Sequence, residues 1–182
     1  MTIEMRVAGI VLDPSTNVPI LILKDEEERH TVPIWIGIIE ASAIATELEK
    51  IALARPMTHD LLKNVLGKLD AIVEKIEVTD LRENTFYAEI HVRSGGVTHV
   101  IDSRPSDAIA LALRAKAPIF VHEKVIARLR EGEEDSPEAP QDPKSPRPMP
   151  LANLDPADKF DKEKWTEFLE NLDPEDFGKY KM

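Results

Sequence analysis

The chain has 182 residues, a hydrophobic fraction of 42% and a formal net charge of −11, which is typical of one globular domain with an appendage. It contains no cysteine, which excludes disulfides, thiolate nucleophiles and zinc–thiolate sites. Residues 1–11 do not resemble a secretory signal and no run approaches the roughly 18 apolar residues of a membrane span, so we expect a cytoplasmic protein without a membrane partner.

The negative charge is unevenly distributed along the chain. Residues 131–182 carry 15 acidic and 7 basic side chains, a net charge of −8, so that residues 1–130 carry only −3. A nearly neutral body can bind phosphate groups through a local cluster of side chains or a bridging metal, but not through bulk charge.

The first part of the chain predicts three strands and two helices. The strands are expected at residues 5–12, 19–23 and 31–36, and the first helix at 40–51, with a turn at 13–17. The second helix is expected at 58–69 with Thr58 as its N-cap. Its apolar residues recur at helical spacing and are expected to face the core; they are Leu61, Leu62, Val65, Leu66 and Leu69.

The same order of elements returns 65 positions later. Strands are expected at 71–78, 86–92 and 97–101, and a largely apolar, buried helix at 107–116. Ser94-Gly95-Gly96 predicts a hairpin turn between the second and third of these strands. A last strand at 118–121 and a short helical turn at 125–130 follow. The matching residues are Ile36, Ala43-Ile44-Ala45 and Leu48 in the first copy and Ile101, Ala108-Ile109-Ala110 and Leu113 in the second.

This repeat predicts an α+β domain over residues 1–130, made of duplicated β-β-β-α units with a linking helix. The two copies need not share one sheet. Because the helices 40–51 and 107–116 are equivalent, polar groups at their starts are expected to meet across a pseudo-twofold groove.

Two further segments follow the predicted domain. Residues 131–150 are rich in proline and acid and predict a disordered linker. Residues 151–182 form an acidic tail in which Trp165, Phe168, Leu169 and Leu172 predict a short amphipathic helix. We expect that helix to dock on the body or on a neighbouring subunit, because a short helix alone is marginal in water.

The strongest functional signal is an Arg-Pro pair followed by acid at two predicted helix starts. The segments are Arg55-Pro56-Met57-Thr58-His59-Asp60 and Asp102-Ser103-Arg104-Pro105-Ser106-Asp107. A helix start binds phosphate through free N–H groups, and arginine adds a fork of donors. The alternative is purely structural: Thr58, Ser103 or Ser106 caps a helix, and Arg104 forms an ion pair with Asp102 or Asp107.

These side chains suggest chemistry on phosphodiesters. Glu40, Asp60, Asp102 and Asp107 supply oxygen ligands for Mg²⁺ or Mn²⁺. The predicted substrate-binding residues are Arg55 and Arg104, and the predicted catalytic residues are His59, Asp60, Arg104 and Asp107, with His59 as proton donor. His91 and His99 lie on neighbouring predicted strands, where a hydrogen-bonded polar role is favoured over metal ligation.

Four strings of the chain resemble the bifunctional nuclease family. They are the two Arg-Pro segments, the second continuing to Ala112, together with Val32-Pro33-Ile34-Trp35-Ile36-Gly37 and Phe86-Tyr87-Ala88. The resemblance covers roughly residues 1–130 and implies a compact α+β domain that cleaves both DNA and RNA. It transfers motif positions and no residue-by-residue catalytic assignment.

The sequence therefore favours a nuclease of low sequence specificity, dependent on a divalent metal, with nucleic acid as substrate. We expect a homo-oligomer, with a dimer favoured. The alternatives are a non-enzymatic homo-oligomeric module that binds a phosphorylated ligand or a protein, and a scaffold with well-capped helices.

Overall fold

The computed structural model describes residues 1–13 and 15–134. Its strands are β1 Thr2–Leu12, β2 Pro19–Asp25, β3 Thr31–Trp35, β4 Ile72–Arg82, β5 Thr85–Ser94, β6 Val97–Ser103 and β7 Ile119–His122. Its helices are α1 Ile38–Leu48, α2 Thr58–Lys68, α3 Pro105–Ala115 and α4 Glu123–Glu134. The predicted α+β fold with duplicated β-β-β-α units is confirmed.

Both copies of the repeat contribute to one sheet, in the order β3-β2-β1-β7-β4-β5-β6. The last strand, β7, lies between the copies; it is antiparallel to β1 and parallel to β4. All other neighbours are antiparallel. The duplication therefore becomes two three-stranded meanders on either side of β7, each followed by its helix.

Alternation along β4 and β5 gives the sheet two chemically different faces. Ile76 pairs with Ile90 and Val78 with Ala88 on the face that packs against α3. Glu77 pairs with Glu89 on the opposite face, which we call the outer face. As predicted, α3 is buried nearly all round, because its Ala, Ile and Leu side chains meet the sheet on one side and α1 and α2 on the other.

Two predicted turns are present in the structure. Gly95 and Gly96 connect β5 to β6 with φ of 58° and 81°, values that glycine adopts at little steric cost. After β1, Asp13 Oδ1 accepts hydrogen bonds from the Ser15 backbone N–H at 2.8 Å and from its hydroxyl at 2.6 Å.

Helix α2 differs from its prediction in two respects. Met57, not Thr58, is the N-cap residue, and Asp60 Oδ2 accepts the Met57 N–H at 2.9 Å. The expected core stripe is also wrong: only Leu66 of the stripe is partly buried, and Leu61, Leu62, Val65 and Leu69 are exposed. The helix turns His59, Asp60 and Leu66 inward instead, because the first two have polar partners on α3.

Helix α4 is longer than the predicted turn at 125–130. Val125 and Ile126 are buried in the core, and Arg128 donates to the Leu81 carbonyl oxygen at 2.7 Å and to Asp80. These contacts with β4 stabilise a 12-residue helix that runs past residue 130. Most of the linker predicted at 131–150 and all of the tail predicted at 151–182 lie outside the described residues.

Candidate active site

The starts of α1 and α3 lie side by side, as the duplication predicts. Arg104, the N-cap residue of α3, donates from Nη1 to Glu40 Oε1 in the first turn of α1 at 2.7 Å. Glu40 folds back over Gly37, the N-cap residue of α1, where a Cβ would overlap Glu40 Oε2. Glycine at this position therefore leaves the space that brings Glu40 to Arg104.

Arg104 also binds an acid on its own helix. Its Nε donates to Asp107 Oδ2 at 2.7 Å. The two contacts use two of the five N–H groups of the guanidinium, and 62% of the Arg104 side chain remains exposed. The predicted ion pair with Asp107 is confirmed, the pairing with Asp102 is absent among the described contacts, and neither Ser103 nor Ser106 caps α3.

His59 extends this chain of contacts to α2. Its Nε2 lies 3.1 Å from Asp107 Oδ1, so the two oxygens of Asp107 face two different cationic or donor groups. The hydrogen bond with His59 is the main influence that lowers the pKa of Asp107; burial opposes it, Arg104 adds to it, and the pKa falls to about 2. Asp107 is therefore a carboxylate at neutral pH, which suits it to orient the imidazole.

A second ion pair lies behind this cluster. Arg114 in the last turn of α3 donates from Nε to Asp60 Oδ1 at 2.7 Å and from Nη1 to the Ala110 carbonyl oxygen at 3.0 Å. The Arg114 side chain is only 3% exposed. Burial raises the pKa of Asp60, but the Met57 N–H and Arg114 together lower it below its usual value. This pair ties α2 to α3 and so positions His59, which is adjacent to Asp60.

The cluster opens into a cavity of about 500 Å³ between α1, α2 and α3. Its polar lining includes Glu40, His59, Arg104 and Asp107, and its apolar lining includes Ile39, Leu53 and Met57. A neighbouring cavity of about 290 Å³ shares Thr46, Leu53 and Arg114 with the first and is also lined by Arg55 and Asp60. Polar groups that converge in a cleft with apolar walls are the usual setting of a ligand site.

The sequence model of the bifunctional nuclease domain matches residues 21–133. The chain belongs to the bifunctional nuclease domain family.

The relatives differ in how much of their length aligns with this chain. An uncharacterized protein of Mycobacterium tuberculosis strain H37Rv is 35% identical over 176 residues, which cover 96% of this chain and 97% of the relative. Bifunctional nuclease 2 of Oryza sativa subsp. japonica is 29% identical and bifunctional nuclease 1 of Arabidopsis thaliana 27%, each over 57% of this chain and 33% of the plant protein. Within residues 1–13 and 15–134, every helix is too short or too polar to cross a bilayer.

The structure brings some of the predicted site residues together. The larger cavity is lined by Glu40, His59, Arg104 and Asp107. Asp60 does not line it but forms an ion pair with Arg114, which does. Arg55 is exposed in the loop before α2 and lines the smaller cavity.

Asp102 is not part of this group. It pairs with Glu89 in the ladder between β5 and β6, which places it on the outer face, away from α3. Strand β6 was predicted to end at residue 101 but continues to Ser103. Asp102 is therefore a strand residue, and the alternation of side chains along β6 decides which face it occupies.

Sequence reasoning missed Arg114. A signal was available: α3 is apolar nearly all round, so an arginine within it must be buried, and a buried guanidinium requires a carboxylate or carbonyl partner. No local pattern in the sequence identifies Asp60 as that partner, because the two residues are 54 positions apart.

Proposed function

We propose that this bifunctional nuclease domain hydrolyses phosphodiester bonds of DNA and RNA with low sequence specificity, at the cavity between α1, α2 and α3. The observation that carries the proposal is the linked set His59–Asp107–Arg104, which combines a proton-transfer group, its orienting carboxylate and a phosphate-binding cation on one cavity wall. The names of the plant relatives support the same reaction class.

His59 is the proposed general acid or base. Its Nε2 contacts Asp107, and a carboxylate on one imidazole nitrogen fixes the orientation and tautomer of the ring. The other nitrogen then exchanges a proton with the attacking water or the leaving oxygen. Positioned proton transfer of this kind contributes about 10²- to 10⁴-fold to the rate.

Arg104 is the proposed phosphate-binding residue. The contacts with Asp107 and Glu40 fix its guanidinium at the cavity while N–H groups remain for a phosphate. A guanidinium binds two phosphate oxygens at once and can stabilise the charge that builds up as the bond breaks. Arg55, beside the neighbouring cavity, is the proposed second contact to the nucleic-acid backbone.

Dependence on Mg²⁺ or Mn²⁺ stays a proposal. The four acids predicted to bind the ion do not converge: Glu40 and Asp107 face Arg104, Asp60 faces Arg114, and Asp102 lies on the outer face. Since these donors do not fit a shared cation, the proton transfers proposed above are assigned to the side chains alone.

The test is cleavage of labelled single-stranded DNA and RNA by the purified chain, with and without chelator, compared with His59→Asn and His99→Asn. His99 is exposed on β6 and is the matched control. Cleavage by the wild type and the His99 variant that is lost in the His59 variant supports the proposal. Equal cleavage by all three, or by a mock purification, contradicts it.

A second candidate is a homo-oligomeric module that binds a phosphorylated ligand or a protein without turnover. The observation that favours it is the exposed apolar side of α2, made of Leu61, Leu62, Val65 and Leu69. Exposed apolar clusters of this kind mark interaction surfaces. Thermal stabilisation by nucleotides without cleavage would favour this function over the nuclease.

A further inference from the structure

Three acidic residues lie in a row across the outer face of the sheet. Glu77 on β4 pairs directly with Glu89 on β5, and Glu89 pairs directly with Asp102 on β6. Carboxylates at directly paired positions repel one another. A row of three therefore calls for compensating positive charge on this face.

A histidine with a buried ring nitrogen lies beside the row. His91 Nε2 is inaccessible to solvent and has no hydrogen-bond partner among the described residues. It nevertheless lies 3.2 Å from Glu77 Oε2 and 3.7 Å from Glu89 Oε2, and the ligand atoms of the three side chains all lie within 4.8 Å of one another. His122 on β7 adds a fourth donor, with Nε2 at 3.9 Å from the same Glu77 oxygen.

The Glu77–His91 separation fits two ligands of one metal ion, and the other separations are too long for hydrogen bonds. Two ligand atoms about 2.0–2.1 Å from a tetrahedral Zn²⁺ lie about 3.3 Å apart, close to the Glu77–His91 separation. The pair is near enough for a hydrogen bond but does not form one, which leaves the buried His91 nitrogen without a partner and in need of one.

We propose that Glu77, Glu89 and His91 bind a divalent transition-metal ion, with Zn²⁺ the best fit and His122 close enough to complete the set. An imidazole with two carboxylates suits Zn²⁺ better than Mg²⁺, which prefers oxygen ligands and keeps its waters. The site is on the outer face of the sheet and shares no residue with the cavity beside α3, so it is independent of the proposed nuclease function.

Lys75 is the cation on this face that contacts the acidic row directly. Its Nζ donates to Glu77 Oε1 at 2.5 Å, which leaves Glu77 Oε2 directed at His91. If Lys75 alone compensates the acids, the cluster is an ion-pair network and no metal binds with useful affinity. The two interpretations are therefore separable by direct measurement.

The experiment is calorimetric titration of Zn²⁺ into the full chain after removal of metals by chelator. The wild type is expected to bind one ion, and His91→Gln to weaken that binding at least about tenfold, as loss of a ligand does. His99→Gln, an exposed histidine on the neighbouring strand, is expected to bind like the wild type and corrects for adventitious histidine binding.

Absence of Zn²⁺ binding by the wild type, or equal binding by the His91 and His99 variants, would overturn the proposal. Far-UV circular dichroism establishes that the His91 variant is folded. If it is not, Glu89→Gln replaces it, because Glu89 is more exposed and its amide is nearly isosteric. Unchanged affinity in Glu89→Gln would equally overturn the site.

Discussion

His59 Nε2 lies 3.1 Å from Asp107 Oδ1, although the two residues are 48 positions apart in the chain. The contact joins the first turn of α2 to the first turn of α3 and leaves the His59 side chain only 13% exposed. An imidazole held in this way has one orientation and one hydrogen-bonded nitrogen. The pair is therefore the part of the cavity most directly suited to proton transfer.

Replacement of either His59 or Asp107 should impair proton transfer. Asp107→Asn and His59→Asn are each expected to lower kcat about 10²- to 10⁴-fold, because the ring loses its orientation or is absent. The double variant should lose little more than the single ones, since groups that act as a unit are not additive. Single-turnover cleavage of an oligonucleotide measures this.

The matched control for Asp107→Asn is Asp70→Asn. Asp70 is exposed after α2 with φ of 51°, a conformation that asparagine accepts readily. The Asp70→Asn variant should leave kcat unchanged. Fully additive losses in the double variant would show that His59 and Asp107 do not act together.

Arg104→Lys tests phosphate recognition. Lysine keeps the charge but loses the planar fork that spans Asp107 and Glu40, so kcat/KM should fall about 10- to 100-fold, through KM for the phosphate contact and through kcat for the lost stabilisation of the transition state. Steady-state kinetics on single-stranded substrates provides the measurement. Arg93→Lys, on the outer face and paired with Glu74, is the control, and an equal loss in that variant would argue against a specific role for Arg104.

The pair between Arg114 and Asp60 should respond asymmetrically to mutation. Asp60→Asn keeps an acceptor oxygen for Arg114 but removes the negative charge that compensates the buried guanidinium, and should cost about 3 kcal/mol of unfolding free energy. Arg114→Met leaves a carboxylate that is 33% exposed and can hydrate, so about 1 kcal/mol is expected. Urea unfolding compares the two variants, and the reverse order would contradict this account of the pair.

The repeat in the sequence predicted the parts of the structure that depend on local pattern. Its alternating strands and its two equivalent helices are present, and the expected meeting of their polar starts is the contact between Arg104 and Glu40. Periodicity was sufficient here because each unit builds its own hairpins, and duplication relates the two units.

Features set by tertiary partners were not predictable in this way. The apolar stripe of α2 identifies an amphipathic helix but not the direction it faces, and the pairings of His59 and Asp60 with α3 turned that stripe outward. Asp102 fell on the other face because β6 continues two residues beyond its predicted end. A residue expected in the connection before α3 is instead fixed on one face of the sheet by the alternation of the strand.

The exposed side of α2 predicts self-association. Leu61 and Leu69 are 58% and 66% exposed, and the hydrophobic gain from covering them favours a homo-oligomer, with a dimer expected. Leu61→Glu with Leu69→Glu should convert it to monomer in light scattering coupled to gel filtration. Lys63→Glu, an exposed position on the same helix, is the control. A wild type that is already monomeric at all concentrations would contradict the prediction.

The lowered pKa of Asp107 predicts a difference in acid stability between the wild type and Asp107→Asn. The folded pKa of about 2 lies below the ordinary value of about 3.9, so this carboxylate stabilises the fold above pH 4 and loses that contribution as the pH falls toward 2. The difference in unfolding free energy between the two proteins should therefore be constant near neutral pH and shrink between pH 4 and 2. Other acids with lowered pKa, such as Asp80, titrate in both proteins and largely cancel in the comparison.

Salt provides a second check on the same contribution. The Asp107 side chain is 36% exposed, so salt should screen its contacts. At neutral pH, the difference in unfolding free energy between the wild type and Asp107→Asn should therefore become smaller as the ionic strength rises. Urea unfolding at a series of pH values and salt concentrations measures both effects. A difference that stays constant from pH 5 to pH 2 would mean that the contacts with His59 and Arg104 do not stabilise the charged form of Asp107, and the orienting role given to this carboxylate would lose its physical basis.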